Sequence, residues 1–259
     1  MRILITNDDG IRAEGLQVLR RLAADIAGPD NVWTVAPANE VSGVAHCISF
    51  SHPMRIEQIS KRDFAVSGSP ADCILATLFD VMPHAWPDLV LSGVNRGNNS
   101  AENTLYSGTV GAVMEAALHG VKGIALSQFY GPENRGLANP FEAAEIHGAA
   151  VIRRLLDAAP WHDGLYEVFY NVNFPPVPAA EVAGIRAVRQ GFRPRGGFSA
   201  SAQQRGMRRF LWVEGSPQDV PSAPGSDAYA NLQGFVSITP MCADLTADDT
   251  LDKLGEIFN

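Results

Sequence analysis

A chain of 259 residues with 46% hydrophobic and 19% charged residues has the apolar material for a packed core and is neither disordered nor fibrous in composition. Its formal net charge of -8 excludes a general nucleic-acid coat, yet leaves room for a small phosphorylated ligand where a metal and helix N-terminal amides locally reverse the field. Three scattered cysteines (Cys47, Cys73, Cys242), a very short apolar run before the first acids and no window near about 18 uninterrupted apolar residues point to a cytoplasmic protein without disulfides, signal peptide or membrane span.

Residues 2–6 form a β-branched apolar run that stops at NDDG, and the amphipathic stretch 11–26 follows it, giving strand, loop and helix. GPDN supplies a turn and VWTVA, residues 32–36, a second strand, so the chain opens as a βαβ unit and hence a parallel sheet. Over 47–59 short strands joined by SHP predict a hairpin outside that sheet. Alternation then resumes: a strand at 64–66, a helix at 70–81, the strand PDLVLSG, a helix at 110–119, the strand GIALS, a helix at 142–158 and the strand YEVFYNVNFP. The pattern predicts an α/β fold for residues 1–190, a Rossmann-like mostly parallel sheet with helices on both faces. From Gly191 two long loops rich in Gly, Ser and Pro flank the strand RRFLWVEG. They predict a β-rich C-terminal extension over 191–259, a loop and hairpin that packs on the core or on a partner subunit and serves oligomerisation.

In open α/β sheets ligands bind beyond the carboxyl ends of the strands, so the residues just after each predicted strand bear on function. The first strand is followed by Asn7, Asp8, Asp9 and Gly10, the second by APANEVSGVAH, and PDLVL by SGVNRGNN. Adjacent carboxylates repel one another unless a cation lies between them or solvent screens both. Asp8 and Asp9 therefore suggest a hard cation, magnesium or manganese, for which Ser42 and Asn95 offer further oxygens. The plainer alternative makes Asp8 a cap for the helix near residue 11 and Asp9 its solvated neighbour, and the pair alone does not decide. Ser107, Gly108 and Thr109 stand at a predicted helix N-terminus, where amides and the helix dipole favour phosphate; taken alone they read as an N-cap with small residues for close packing. SGSPADC reads as structure, with Ser69 as the cap, Pro70 at the first helical position and Asp72 in the first turn. His46 is a candidate donor to a phosphoryl oxygen or leaving group, against the default of a polar loop residue, and the clusters RPRGG and RGMRR read by default as solvated loops.

Taken together, these segments are similar to the SurE family of 5'/3'-nucleotidases, also called stationary-phase survival proteins. ILITNDDG, VAPANEVSG, GSPADC, PDLVLSGVNRGNN, YSGTVGAVMEA, NVNFP, RQGFRPRGG and GFVSITPMCADLT resemble its successive motifs in order, from the N-terminus to Thr246. The resemblance implies a Rossmann-like core, a C-terminal arm exchanged within a homodimer or homotetramer, and one divalent metal ion per subunit on Asp8, Asp9, Ser42 and Asn95. It implies catalytic roles for Asp8, Asp9 and Asn95, a phosphate at Ser107, Gly108 and Thr109, and a substrate contact from Asn99. The implied activity is hydrolysis of nucleoside 5'- and 3'-monophosphates, extending to short polyphosphate, with water or one of the two aspartates as nucleophile.

Two departures stand out. The family's usual Asp-Arg pair after AP is here Ala38 and Asn39, which removes a basic contact near the metal, and its NLG is here Asn99-Ser100-Ala101. Competing readings lack their own signatures. A haloacid-dehalogenase-like phosphatase wants D-x-D after the first strand, a receiver domain wants an Asp where this chain has Asn95, and an NAD-binding domain wants G-x-G-x-x-G. A metal-dependent nucleotide sensor without turnover keeps every motif and is the remaining alternative.

Overall fold

The computed structural model describes residues 1–163, 166–193, 197–215, 217–220 and 222–258. Its first half runs β1 (Ile3–Thr6), α1 (Glu14–Ala27), β2 (Val32–Pro37), β3 (Ile56–Gln58), β4 (Asp63–Val66), α2 (Pro70–Ala76), β5 (Leu89–Arg96), α3 (Gly108–Leu118) and β6 (Lys122–Gln128). The second half runs α4 (Pro132–Arg135), α5 (Glu142–Ala158), β7 (His162–Asp163), β8 (Tyr166–Glu167), β9 (Phe169–Phe174), β10 (Gly184–Ala187), β11 (Phe198–Arg205), β12 (Arg208–Gly215), α6 (Asp227–Leu232), β13 (Phe235–Met241) and α7 (Asp248–Phe258). No helix among the described residues is long and apolar enough to cross a membrane.

Nine strands form one sheet in the order β10-β13-β9-β6-β5-β1-β2-β4-β3, and only the β9–β13 and β3–β4 neighbours are antiparallel. Because successive strand residues face opposite ways, β1 divides the core: Ile3 and Ile5 pack with Leu16, Leu19, Val151 and Ile152 of α1 and α5, whereas Leu4 joins Ile74, Val110 and Val113 of α2 and α3. Helices therefore cover both faces, as the Rossmann-like reading requires.

Several boundaries move, each for a visible reason. Helix α1 begins at Glu14 rather than residue 11, because the Ile11 amide donates to the Pro37 carbonyl (2.8 Å) and ties the loop to β2 first. The expected hairpin over 47–59 does not form. The Ser49 amide donates to Asp72 Oδ1 (2.9 Å) and the Cys47 carbonyl accepts from the Ser69 hydroxyl, so the capping residues of α2 satisfy that stretch. Ile56–Gln58 instead joins the main sheet as its antiparallel edge. YEVFYNVNFP is not one strand: β8 pairs back on β7, the Val168 amide bonds the Trp161 carbonyl (2.9 Å), and β9 starts afresh. SGSPADC behaves as read, with Ser69 and Asp72 forming a reciprocal capping box.

The expected division at residue 190 is crossed by the sheet. β13 lies between β9 and β10, and Val236 is fully buried in the core, so the extension returns to the domain that it leaves. Between the two, β11 and β12 pair over eight residues as a separate antiparallel hairpin whose Phe210, Leu211, Trp212 and Val213 are exposed.

Close approach to the sheet depends on a glycine in α1. A Cβ on Gly15 would sit 1.9 Å from the Val94 carbonyl oxygen, a backbone atom that cannot rotate away. Gly15→Ala is expected to destabilise the protein by about 1–3 kcal/mol in denaturant unfolding. Gly136→Ala, where a Cβ would meet nothing within 4 Å, should stay within about 0.5 kcal/mol of the parent.

Candidate active site

The site is assembled where β1, β2 and β5 end. The loop after β1 is held from three directions: Asn7 Nδ2 donates to the Gly10 carbonyl (2.9 Å), the Val41 amide to the Asp8 carbonyl (2.9 Å), and the Ile11 amide to Pro37. β5 shifts register between Ser92 and Asn95, which places Asn95 opposite Ser127. Asn95 thus belongs to the end of the strand rather than to the loop beyond it. Gly93 permits this, since a Cβ there would lie 2.1 Å from the Leu126 carbonyl oxygen.

A cavity of about 500 Å³ opens on this rim, and Asp8, Asp9, Ser42, Asn95, Asn99 and Ser107 are all on its wall. The Asn95 side-chain nitrogen donates to the Gly97 carbonyl (3.0 Å), and among the described residues Oδ1 has no donor. Ser42 donates to Glu40 Oε1 (3.0 Å), and Asp9 Oδ2 accepts from the Arg96 amide (3.2 Å).

Asp8 is no helix cap: α1 starts six residues on, behind Ala13, with no side-chain cap. Its carboxylate is 4% exposed and accepts from the Thr109 hydroxyl (2.6 Å). Burial pushes the Asp8 pKa up to about 6, with the Thr109 hydroxyl and amide opposing and Asp9 adding to the rise. Burial likewise raises Asp9, against the Arg96 amide and guanidinium and together with the Glu40 charge.

Ser107 caps α3 by accepting from the Val110 amide (3.1 Å) and also faces the cavity. Gly108 and Thr109 stand behind Asp8 and are not on the cavity wall; a Gly108 Cβ would come within 3.1 Å of Asp8 Cβ. The start of α3 is therefore applied to the Asp8 carboxylate. His46 is also off the wall. Its Nε2 lies 2.5 Å from Glu115 Oε2, and Glu115 meets His119 through its other oxygen (3.1 Å). That hydrogen bond, working against burial, holds the Glu115 carboxyl below its ordinary pKa and takes His46 away from the rim.

The loop 98–102 is clamped by residues far along the chain. Arg193, 1% exposed, donates to the Ser100 carbonyl (3.0 Å), Ser100 Oγ (2.8 Å) and Asn98 Oδ1 (3.3 Å). Fully buried Asp227 accepts from the Ala101 (3.0 Å), Gly191 (2.8 Å) and Ala228 (2.7 Å) amides. RPRGG is thus not simply a solvated basic loop, at least at Arg193; residues 194–196 lie outside the described residues. Asn99 is fixed in turn: its amide donates to Asn173 Oδ1 (2.7 Å) and its Nδ2 to Ser127 Oγ (2.8 Å).

Glu40, Arg96, Asn98, Asn103, Tyr106, Phe198 and Gln218 line the cavity without having been singled out from sequence. The first five sit inside or beside the motifs already named, one to four residues from chosen positions. Phe198 and Gln218 arrive from the distant extension and carry no local signal.

The donor set tests well for a hard cation. Among the described residues no group of three or more His, Cys, Asp or Glu could hold a metal, and the carboxylates of Asp8 and Asp9 share the cavity wall with the neutral oxygens of Ser42 and Asn95, the donor type that a hard cation takes. Fold and site together define an α/β protein with an acidic, oxygen-lined cavity at the carboxyl ends of parallel strands. The chain belongs to the SurE family: residues 3–196 match the family described as Survival protein SurE. It is 63% identical over 256 residues to "5'-nucleotidase SurE" of Ruegeria pomeroyi, covering 98% of each chain, and 61% identical over 260 residues to the protein of that name from Cereibacter sphaeroides, covering 100% of each. The crystal structure of SurE protein from Aquifex aeolicus superposes with a TM-score of 0.82 at 31% identity over 100% of both chains.

Two measurements check this site. A carboxyl with a raised pKa binds its proton more tightly when folded, so the ionised Asp8 costs stability above about pH 6 and that cost fades as pH falls toward 3.8. The shift corresponds to about 3 kcal/mol. With chelator present, Asp8→Asn should melt several degrees above the parent at pH 7.5, the gap closing toward pH 4. Arg193→Met leaves Ser100 and Asn98 acceptors without their donor and should cost about 2–4 kcal/mol in unfolding free energy.

Proposed function

We propose that this protein is a metal-dependent phosphomonoesterase that hydrolyses nucleoside 5'- and 3'-monophosphates to nucleoside and phosphate, with short polyphosphate as a further substrate. The observation that carries this reading is the gathering of one buried and one partly buried carboxylate, two neutral oxygen donors and Ser107 around one cavity. The full-length relatives named 5'-nucleotidase support it.

One divalent ion per subunit, magnesium or manganese, would be held by Asp8, Asp9, Ser42 and Asn95. When bound, such an ion neutralises charge on the transferring phosphoryl group and makes water a stronger nucleophile. Thr109 holds Asp8 in place before any ligand arrives, so its orientation costs nothing during the reaction. Ser107 already accepts from Val110, which leaves its hydroxyl proton for a phosphoryl oxygen. Arg96 contributes positive charge to the wall of a site whose Ala38 and Asn39 replace the family's usual Asp-Arg. Asp9, less buried than Asp8 and bonded to a single amide, takes the proton from the attacking water. The bond between phosphorus and the nucleoside oxygen then breaks, and that oxygen takes a proton from solvent. Asp8, enclosed and hydrogen-bonded to the Thr109 hydroxyl, is a poor nucleophile.

The exposed apolar residues of β12, on both faces of the hairpin, fit subunit exchange in a homodimer or homotetramer, and Cys47, Cys73 and Cys242, all free, fit a cytoplasmic location. Polymeric nucleic acid is not a partner, given the net charge.

Phosphate release from a panel of nucleoside monophosphates, measured after chelation and again with added magnesium or manganese, tests the reading. Activity should vanish with chelator and return with metal, and Asp9→Asn should lower kcat by at least about a hundred-fold. Acid-quenched turnover should trap no phosphate on the protein. Tight nucleotide binding without any phosphate release would make the protein a sensor instead.

A further inference from the structure

We propose that Tyr106 and Phe198 form a stacking platform for the nucleobase, a subsite for an aromatic heterocycle in the same cavity as the carboxylates. This assignment rests on the nucleotidase reading above and adds to it the group that the protein holds besides phosphate.

The cavity, at about 500 Å³, has the volume of a small-ligand site rather than of a phosphate alone. Many of the residues lining it carry carboxylate, amide or hydroxyl groups, and Tyr106 and Phe198 also face it. Their rings touch edge to face, with centroids 4.9 Å apart and planes at 84°. Despite that contact, Tyr106 remains 43% exposed and Phe198 56% exposed. Aromatic surface left open in a cavity that also carries acids and amides is matched by a ligand with a flat apolar face, and every nucleobase has one.

Position supports the assignment. Tyr106 directly precedes Ser107, so the ring springs from the residue beside the hydroxyl assigned to phosphate, one Cα step of about 3.8 Å away. Its backbone is fixed: the Tyr106 carbonyl accepts from the Ala45 amide (3.0 Å), and the Ser107 amide donates to Thr104 (3.3 Å). Phe198 comes from the first residue of β11, so the hairpin of the extension supplies half of the platform. The amides of Asn103 and Gln218, also on the wall, meet each other at 2.5 Å.

The neighbouring cavity of about 590 Å³ shares Gly215 and Gln218 with this one and contains Phe129 and Tyr130. It carries neither catalytic carboxylate. Phe129 is buried, and Tyr130 leans on Phe141 at 6.4 Å, so its rings are already committed.

Full-length protein and the variants Tyr106→Leu, Phe198→Leu, Tyr106→Phe and Tyr130→Leu would be compared in two assays. In the first, kcat/KM is measured for adenosine 5'-monophosphate and for ribose 5-phosphate, which lacks the base. The ratio of the two should fall about ten-fold in each Leu variant at positions 106 and 198, while Tyr106→Phe keeps the parent ratio. In the second, calorimetric binding of adenosine, which needs no turnover, should weaken by a similar factor in the same two variants and be unchanged in Tyr130→Leu. Unchanged ratios and unchanged adenosine affinity at positions 106 and 198, or a loss in Tyr130→Leu instead, would overturn the platform. If the parent protein releases phosphate from ribose 5-phosphate but not from the nucleotide, the nucleotidase reading fails. Adenosine binding by the Leu variants then still decides the platform by itself. Because Phe198 is on an exposed hairpin, its variant keeps the test valid should Tyr106→Leu not fold.

Discussion

The rest of the site depends on an unfavourable placement, a carboxylate buried next to another carboxylate. Asp8 stands almost out of solvent beside Asp9, and ionisation there is opposed by dehydration and by its neighbour's charge. The protein offsets this with the Thr109 hydroxyl and the amino end of α3, which are applied to Asp8 from behind. A ligand-bound cation would offset much of the remainder. Without a cation the remainder is carried as lost stability.

Holding two acids in this way requires rigid surroundings, and the fold supplies them by close approach. α1 lies against β5 at Gly15, the register of β5 shifts at Gly93, and α3 lies on Asp8 at Gly108. Three elements of the sheet and two helices thereby converge with little free space. The asparagine-rich loop, which has no regular strand or helix to stiffen it, is held from outside by Arg193 and Asp227. The C-terminal part of the chain thus has two functions in one stretch. It returns β13 to the sheet and immobilises the loop that lines the cavity, while its hairpin remains exposed.

Asp8, Asp9, Ser42, Asn95, Asn99 and Ser107 could be gathered from sequence because each follows the end of a predicted strand or opens a helix, and topology brings such ends to one rim. His46 followed the same rule and fell outside the site, since Glu115, a buried residue of α3 distant in sequence, captures its imidazole. Thr109 was placed correctly but engaged otherwise, its hydroxyl directed to Asp8 rather than outward. The stretch 47–59 looked like a hairpin because local residue preference cannot register that Asp72 and Ser69 would take its hydrogen bonds.

By itself the sequence determined the alternation of strand and helix, the polar rim and the family, because hydrophobic period and motif order are properties of neighbouring residues. Tertiary structure alone decided which oxygens of that rim share a cavity, that Arg193 is buried rather than solvated, and that Phe198 and Gln218 join a site built mainly from the first half of the chain. Those outcomes depend on burial and on contacts between distant segments. No local pattern encodes them, since the free energy of a buried charge or an exposed ring is set by what the rest of the chain places around it.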